Sequence, residues 1–336
     1  MPKRALPSSL LALTVVPALA VGLAGCGAAA PAEEDGRLAV VASTDVYGDI
    51  VASIGGDLVS VTSLIDSAAQ DPHSYEASAR DRLAVSNAAL VIENGGGYDP
   101  FITSLLDASP SDARVVIDVV DVSGLAPEDA DQHAEDEPAE EEHAEDEPAE
   151  DGHAEEDDHA HIEGFNEHVW YDLHAVELLA ETIADTLAEL DPADKATFDA
   201  NAETFLAGLE AVHEQAAALA AQVDGREFAL TEPVPAYLFA ELGLVNVTPE
   251  AFSEAIEEGA DVAPRDLETM LGIIGSHELL LLAYNDQTTN SQTEQVRAAA
   301  ESAGVPVVTF TETLPDGLDY LEWMTANLDA IAAAAG

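Results

Sequence analysis

Residues 38–65 read LAVVASTDVYGDIVASIGGDLVSVTSLI and contain two apolar runs on either side of an amphipathic one. The run Leu38 to Ala42 predicts a short strand, and Leu58 to Ile65 predicts a second, β-rich strand. Between them, Asp45 to Ile54 predicts a helix that Gly55-Gly56 ends. Continuous apolar strands that alternate with helices are typical of a parallel sheet covered on both faces. This stretch therefore predicts an α/β fold.

The same alternation continues to residue 119 and recurs in the C-terminal half of the chain. There it predicts strands at Glu227–Thr231, Leu244–Val247, Leu279–Tyr284 and Val305–Phe310. Between the two halves, apolar residues spaced three or four apart run from Phe198 to Leu219. They predict one helix of about 30 residues, roughly 45 Å long. We expect two parallel-sheet α/β lobes and a helix long enough to run from one lobe to the other.

Composition excludes several classes of protein. The 336 residues carry 10 basic and 67 acidic side chains, a formal charge of −57, and this field repels nucleic-acid phosphates. Apolar residues make up 47 % of the chain, which is enough for a packed core and argues against global disorder. A single cysteine allows neither an intramolecular disulfide nor a cysteine-based zinc finger.

The first residues predict an export signal. Lys3 and Arg4 precede an apolar run from Leu10 to Ala24, which is shorter than the roughly 20 residues that span a bilayer. The sequence Leu23-Ala-Gly-Cys26 resembles a bacterial lipobox, in which the cysteine is lipidated after cleavage before it. We therefore expect Cys26 to anchor the protein to the cell membrane on its extracytoplasmic face. A secreted protein with an incidental cysteine is the alternative.

A low-complexity block interrupts the chain at residues 131–163. It repeats a ten-residue unit that begins at His133, His143 and, in degraded form, His153, and it holds 17 acidic residues and five histidines. It cannot bury enough apolar surface to fold, so we expect a disordered surface loop. The block is either a solvated loop or a weak zinc trap.

The predicted boundaries are a signal at 1–25, a flexible tether at 26–36, an N-terminal lobe at 37–191, a linking helix at 192–222 and a C-terminal lobe at 223–336.

Side chains of the types that ligate metals follow three predicted strands, at Gln70–Glu76, Thr231–Pro233 and Asn285–Gln287. A fourth such segment, Asn166–Trp170, lies between the acidic block and the helix predicted from Ala175. Ligands of open parallel sheets bind beyond the carboxyl ends of the strands. Two imidazoles and two carboxylates would offset the charge of a divalent cation; imidazole suits zinc, and added carboxylates also admit manganese.

The motifs DPHSYE at 71–76 and HVW at 168–170, with a histidine-rich acidic insertion between them, resemble the zinc/manganese solute-binding proteins of bacterial ABC importers. The stretch TEPVPAYLFAELG at 231–243 and the segments 293–297 and 304–315 are similar to that family too. The resemblance implies two lobes joined by one rigid helix, with the metal in the cleft between them. It also implies delivery to a membrane permease that a cytoplasmic ATPase drives.

The resemblance also implies a ligand set. His73 and His168 match the first two ligands of the family, and Glu232 stands at the third. Asp286 is the nearest carboxylate for the fourth, with Asn290 as the alternative. The insertion and the affinity order favour Zn²⁺ as the transported ion, whereas Glu232 favours Mn²⁺. We expect a monomer that does not bind nucleic acid.

Two other classes of function remain as alternatives. The sequence has no Gly-x-Ser-x-Gly elbow, no His-Glu-x-x-His helix and no phosphate-binding glycine loop, so no enzymatic activity is expected. An exported zinc-dependent hydrolase would need a general base beside a metal-bound water. A surface adhesion lipoprotein would instead need an apolar patch for a partner.

Overall fold

The computed structural model describes residues 36–70, 72–127, 164–276 and 278–336. The predicted signal, Cys26 and the repeat block at 131–163 lie outside these ranges, as does Asp71 of the DPHSYE motif. Within the described ranges, no helix combines the length and the apolar character that a bilayer crossing requires.

The first lobe is built on a four-stranded, fully parallel sheet in the order β2-β1-β3-β4. Its elements are β1 (Leu38–Thr44), α1 (Asp45–Gly55), β2 (Val59–Ile65), α2 (Ala79–Asn87), β3 (Leu90–Glu93), α3 (Pro100–Asp107), β4 (Val115–Asp118) and α4 (Val119–Ser123). The apolar residues of β1 and β3 are almost all buried, because helices cover both faces of these central strands.

Two helices follow, α5 (Leu173–Leu190) and α6 (Lys195–Val223). The buried side chains of α6 recur every three or four residues from Phe198 to Val223 and form one continuous apolar strip. Helix α6 has 29 residues and packs against α1 and α5. It also packs against α11 (Tyr320–Ala335), the last helix of the chain. The long helix predicted from the apolar spacing is therefore present, and it contacts elements from both halves of the chain.

The second lobe repeats the topology of the first, with a parallel sheet in the order β6-β5-β7-β8. Its elements before α11 are β5 (Glu227–Leu230), α7 (Ala236–Glu241), β6 (Val245–Asn246), α8 (Glu250–Glu257), α9 (Pro264–Ser276), β7 (Leu282–Asn285), α10 (Ser291–Ala303) and β8 (Val307–Phe310). The expected fold of two parallel-sheet α/β lobes is confirmed. Strand β7 begins and ends later than the sequence predicted, although Leu280 and Leu281, just before it, already form backbone hydrogen bonds with Glu227 and Ala229 of β5.

The segment after β8 is fastened to the first lobe. Asp45 of α1 accepts a hydrogen bond from the backbone N–H of Leu314 (3.1 Å), and Asp49 accepts one from that of Tyr320 (2.9 Å). The hydroxyl of Tyr171 donates to the carbonyl of Thr311 (2.8 Å). These bonds hold residues 311–320 against α1 and thereby position Glu312, which faces the other lobe.

Candidate metal centre

His73 lies on a 3₁₀ turn, Pro72–Ser74, in the connection that follows β2. Its Nδ1 is 3.3 Å from Oε1 of Glu167, and its Nε2 is 3.9 Å from Oε2 of Glu312. The edge of its ring packs against Tyr98 with 5.0 Å between ring centroids. A carboxylate at Nδ1 fixes the tautomer of a histidine and leaves the Nε2 lone pair for a metal.

His168 lies on the same side of the cleft as His73, with 6.4 Å between the two ring centroids, and a neighbouring side chain also contacts its Nδ1. Its Nδ1 lies 2.7 Å from Oδ1 of Asn166, and its Nε2 lies 4.0 Å from Oε2 of Glu312. The side chain is 2 % exposed, and its ring packs on Trp170 with 5.2 Å between centroids. Both imidazoles therefore present Nε2 to the same carboxylate oxygen.

His73, His168 and Glu312 form one cluster. Each of the three contributes a ligand atom, and these atoms all lie within 4.8 Å of one another. Tetrahedral zinc with bonds of 2.0–2.2 Å needs ligand atoms about 3.3–3.6 Å apart, so small movements would bring the three onto one ion. The cluster joins two imidazoles near the first sheet to a carboxylate that follows the last strand of the second.

Glu232 follows β5 and lies beside this cluster. Its carboxylate is buried and accepts hydrogen bonds from Asn285 Nδ2 and from the Thr288 hydroxyl. Asn285 Nδ2 also donates to Oε1 of Glu312 (2.7 Å). The structure therefore links Glu232 to Glu312 through one amide, although Glu232 is not among the three side chains whose ligand atoms share the 4.8 Å spacing.

Asp286 and Asn290, the two candidates for the fourth ligand, do not join the cluster. Asp286 comes one residue after the end of β7 and its side chain is exposed. Asn290 is the N-cap of α10, and its side chain accepts from the backbone N–H groups of Gln292 (2.8 Å) and Thr293 (3.0 Å). The carboxylate that the structure groups with the two histidines is that of Glu312.

Sequence reasoning missed Glu312, although a signal for it was present. Glu312 stands two residues beyond β8, which pairs with β7, so it belongs to the same edge of the second sheet as Asn285. Applying the strand-end criterion to the last predicted strand, as well as to the others, would have selected it. Glu167, whose carboxylate faces the His73 ring, had no such signal because nothing in its local sequence relates it to residue 73.

Burial and neighbouring acidic charges raise the pKa of two carboxylates at the site. Burial raises the pKa of Glu312 above its usual value, and the charge of Glu232 adds to this, while His73 opposes it. Burial also raises the pKa of Glu257, at the end of α8, to about 9, with further contributions from Glu167, Glu232 and Glu312. Buried carboxylates that repel one another are stabilised by a nearby cation.

A cleft of about 220 Å³ lies beside the site and is lined by Glu167 and Glu257, whose carboxylates are near His73 and His168. From the first half of the chain it is lined by Gly164, Phe165, Asn166 and Glu167, and from the second half by Pro233 and by residues of α8 and its surroundings. Among the latter are Glu254 and Glu257. Pockets for organic ligands of drug size commonly have about 300–1,000 Å³, so the size and acidity of this cleft favour a small cation.

The chain matches the model of the family described as "ZnuA: Zinc-uptake complex component A periplasmic" over residues 40–334. The protein belongs to this family. It is 27 % identical over 331 residues to the manganese-binding lipoprotein MntA of Halalkalibacterium halodurans, covering 95 % of this chain and 96 % of the relative. It is 24 % identical over 306 residues to the zinc-binding lipoprotein AdcA of Streptococcus pneumoniae, covering 89 % of this chain and 56 % of the relative.

Solved structures of the family share the fold. A crystal structure of ZnuA superposes with a TM-score of 0.66 at 21 % identity, covering 89 % of this chain and all of the other. The periplasmic zinc-binding protein TroA of Treponema pallidum superposes with a TM-score of 0.65 at 21 % identity, covering 90 % and 100 % of the two chains. The family expected from the DPHSYE and HVW motifs is confirmed.

Proposed function

We propose that this protein is the substrate-binding lipoprotein of a metal ABC importer. It captures a divalent transition-metal ion outside the cytoplasm and delivers it to a membrane permease that a cytoplasmic ATPase drives. The observation that carries the proposal is the convergence of His73, His168 and Glu312, which brings both halves of the chain to one point in a protein of this family. Curated relatives are named as manganese-binding and zinc-binding lipoproteins of this kind.

The ligand set of the proposal is His73, His168, Glu232 and Glu312. Two imidazoles and two carboxylates carry two negative charges, which offset the charge of a dication buried in the cleft. Zinc is the proposed cargo, because zinc binds such donors more tightly than manganese does. Manganese is the alternative, supported by the two carboxylate ligands.

Cys26 is the proposed lipid anchor, and the proposed location is the extracytoplasmic face of the cell membrane. We propose a binding role without catalysis, because four protein ligands fill the positions that a tetrahedral ion offers. A hydrolytic zinc site keeps one of these positions for water, and it is for this reason that the exported hydrolase is the weaker alternative.

The experiment is a metal titration of the mature chain, residues 26–336, with Cys26→Ser to prevent lipidation. We expect one tight site for Zn²⁺ or Mn²⁺, which competition between the two ions assigns to one of them. His73→Ala should weaken it at least about tenfold, because a first ligand is lost.

The matched control is His213→Ala, because His213 lies on α6, contacts Glu241 and is not part of the cluster. It should bind metal like the wild type. A wild-type protein without a tight site, or a His73→Ala variant with unchanged affinity, would contradict the proposal.

A further inference from the structure

Asn285 lies at the carboxyl end of β7, and β7 runs between β5 and β8. Glu232 follows β5 and Glu312 follows β8, so the two carboxylates stand on either side of Asn285. The side chain of Asn285 is the one that parallel pairing places between them. Asn285 is 3 % exposed, so its side chain is shielded from bulk solvent.

Both hydrogens of the Asn285 amide nitrogen are used. Nδ2 donates to Oε2 of Glu232 and to Oε1 of Glu312. The second bond occupies Oε1, and the other oxygen of Glu312, Oε2, is the one that faces the Nε2 atoms of His73 and His168. The amide therefore binds the oxygen of Glu312 that does not face the imidazoles.

The side-chain oxygen of Asn285, Oδ1, makes a different contact. It accepts from the backbone N–H of Gln287 (3.0 Å), and Oε1 of Gln287 accepts from the backbone N–H of Glu312 (2.6 Å). The two ends of the Asn285 side chain therefore reach Glu312 by different routes, one through its carboxylate and one through its backbone.

Two buried carboxylates that contact the same amide nitrogen repel each other unless hydrogen-bond donors or a cation lie between them. A primary amide is neutral and supplies two N–H groups from one atom, so it can bind one oxygen of each carboxylate. Thr288 gives Glu232 a second donor, and Tyr98 gives Glu312 one at Oε2 (3.1 Å). Asn285 differs from Thr288 and Tyr98 because it donates to both carboxylates, that of Glu232 and that of Glu312.

We propose that Asn285 is a positioning residue for metal capture, whose amide nitrogen holds Glu232 and Glu312 at the separation and orientation that the ion requires. The inference rests on the proposed function, since it assigns a role within that site. It does not make Asn285 a ligand.

The test compares Asn285→Ala with Asn285→Asp in the mature protein, titrated with ZnCl₂ and with MnCl₂. Aspartate retains the shape of the side chain and an acceptor for Gln287 but cannot donate to carboxylates. We expect both variants to bind metal at least about tenfold more weakly than the wild type, within the range typical of residues that orient ligands. Thr288→Ala, which removes one donor from Glu232 alone, should lose less.

A purely structural role is separated by a double-mutant cycle with Glu312→Gln. If Asn285 acts through the carboxylates, the loss caused by Asn285→Asp should be smaller in the Glu312→Gln background than in the wild type. Circular dichroism of the metal-free proteins checks that each variant is folded. Wild-type or tighter binding by Asn285→Asp, or losses that combine additively, would overturn the inference. A wild-type protein that binds neither ion would instead overturn the proposed function.

Discussion

The central strands of the two sheets, β3 and β7, differ in what an asparagine does at their carboxyl ends. Asn94, the residue after β3, donates from Nδ2 to the carbonyls of Gly95 and Glu167, each at 3.0 Å. Asn285, the last residue of β7, donates from Nδ2 to the carboxylates of Glu232 and Glu312. Asn94 of the first lobe thus binds the backbone next to His168, whereas Asn285 of the second lobe binds the side chains of two acids.

The two sheets have equivalent strand orders, so topology alone does not explain this difference. The first lobe also has acids at its strand ends: Glu93 closes β3 and pairs with Asp118 of β4. Asp99 beside them accepts from the backbone N–H groups of Asn94 (2.6 Å) and Gly95 (3.0 Å), so it braces the loop. The comparison indicates that the carboxyl edge of a parallel sheet brings acidic side chains together in both lobes. The hydrogen-bond donors around each acid then determine whether its carboxylate is available to bind a metal.

The largest effect is expected from removing the charge of Glu312. Glu312→Gln keeps the shape of the side chain but replaces an anionic ligand with a neutral one between two imidazoles. Metal affinity should fall by about 100-fold, because Glu312 carries one of the two negative charges in the ligand set. Equilibrium competition with a chelating dye measures the loss for each ion.

Asp286→Asn is the matched control for this variant. It also neutralises one acid after a strand of the second sheet, but the side chain of Asp286 is exposed and outside the cluster. Its affinity should equal that of the wild type. If Asp286→Asn loses affinity and Glu312→Gln does not, the assignment of the fourth ligand has to be reversed.

A smaller effect, on ion choice, is expected at Glu232. Glu232→His replaces a carboxylate oxygen with an imidazole nitrogen, a donor that zinc accepts better than manganese does. The ratio of zinc to manganese affinity should rise by about tenfold, and paired titrations with the two ions measure it. Glu232→Gln is the control that removes charge without adding nitrogen. An unchanged ratio in Glu232→His would place Glu232 outside the ligand set.

Much of this architecture was predictable from the sequence. Continuous apolar strands alternating with amphipathic helices predicted both sheets, and the three- and four-residue spacing predicted α6. His73 and His168 were selected by their motifs, and the structure brings them together. The predictions of the sheets and of α6 succeed because their signals are local: the spacing of buried residues distinguishes a strand from a helix within a few residues.

The fourth ligand was harder to select than the two histidines, because no sequence motif marks it. Asp286 and Glu312 both follow strands of the second sheet, and a shift of one residue decides whether a side chain turns into the cleft or away from it. The contacts of Glu312 with Tyr98 and with Asn285 depend on how distant segments pack. The short helix α8, which carries Glu257 to the cleft, was not among the predicted elements, although its buried residues Phe252 and Ile256 are spaced as on one helix face.

The smallest effect on metal binding is expected at Glu93, the acid that ends β3 in the first lobe. Burial, followed by the charges of Asp99 and Asp118, raises the pKa of Glu93 to about 8. The folded state therefore holds a proton on Glu93 that the unfolded chain releases near its ordinary pKa. Ionising this buried carboxylate costs stability, and the cost appears as the pH rises from about 5 to about 8.

Glu93→Gln should remove this cost without touching the metal site. At about pH 8.5 the variant should be more stable than the wild type by about 1–2 kcal/mol, after allowance for partial solvent access, and at about pH 5 the two should be equal. Urea unfolding of both metal-free proteins at the two pH values measures the difference. Zinc affinity should be unchanged, since the acids of the first lobe brace a loop. A loss of zinc affinity in Glu93→Gln would contradict this prediction. It would show that the strand-end acids of the first lobe, like those of the second, contribute to metal binding.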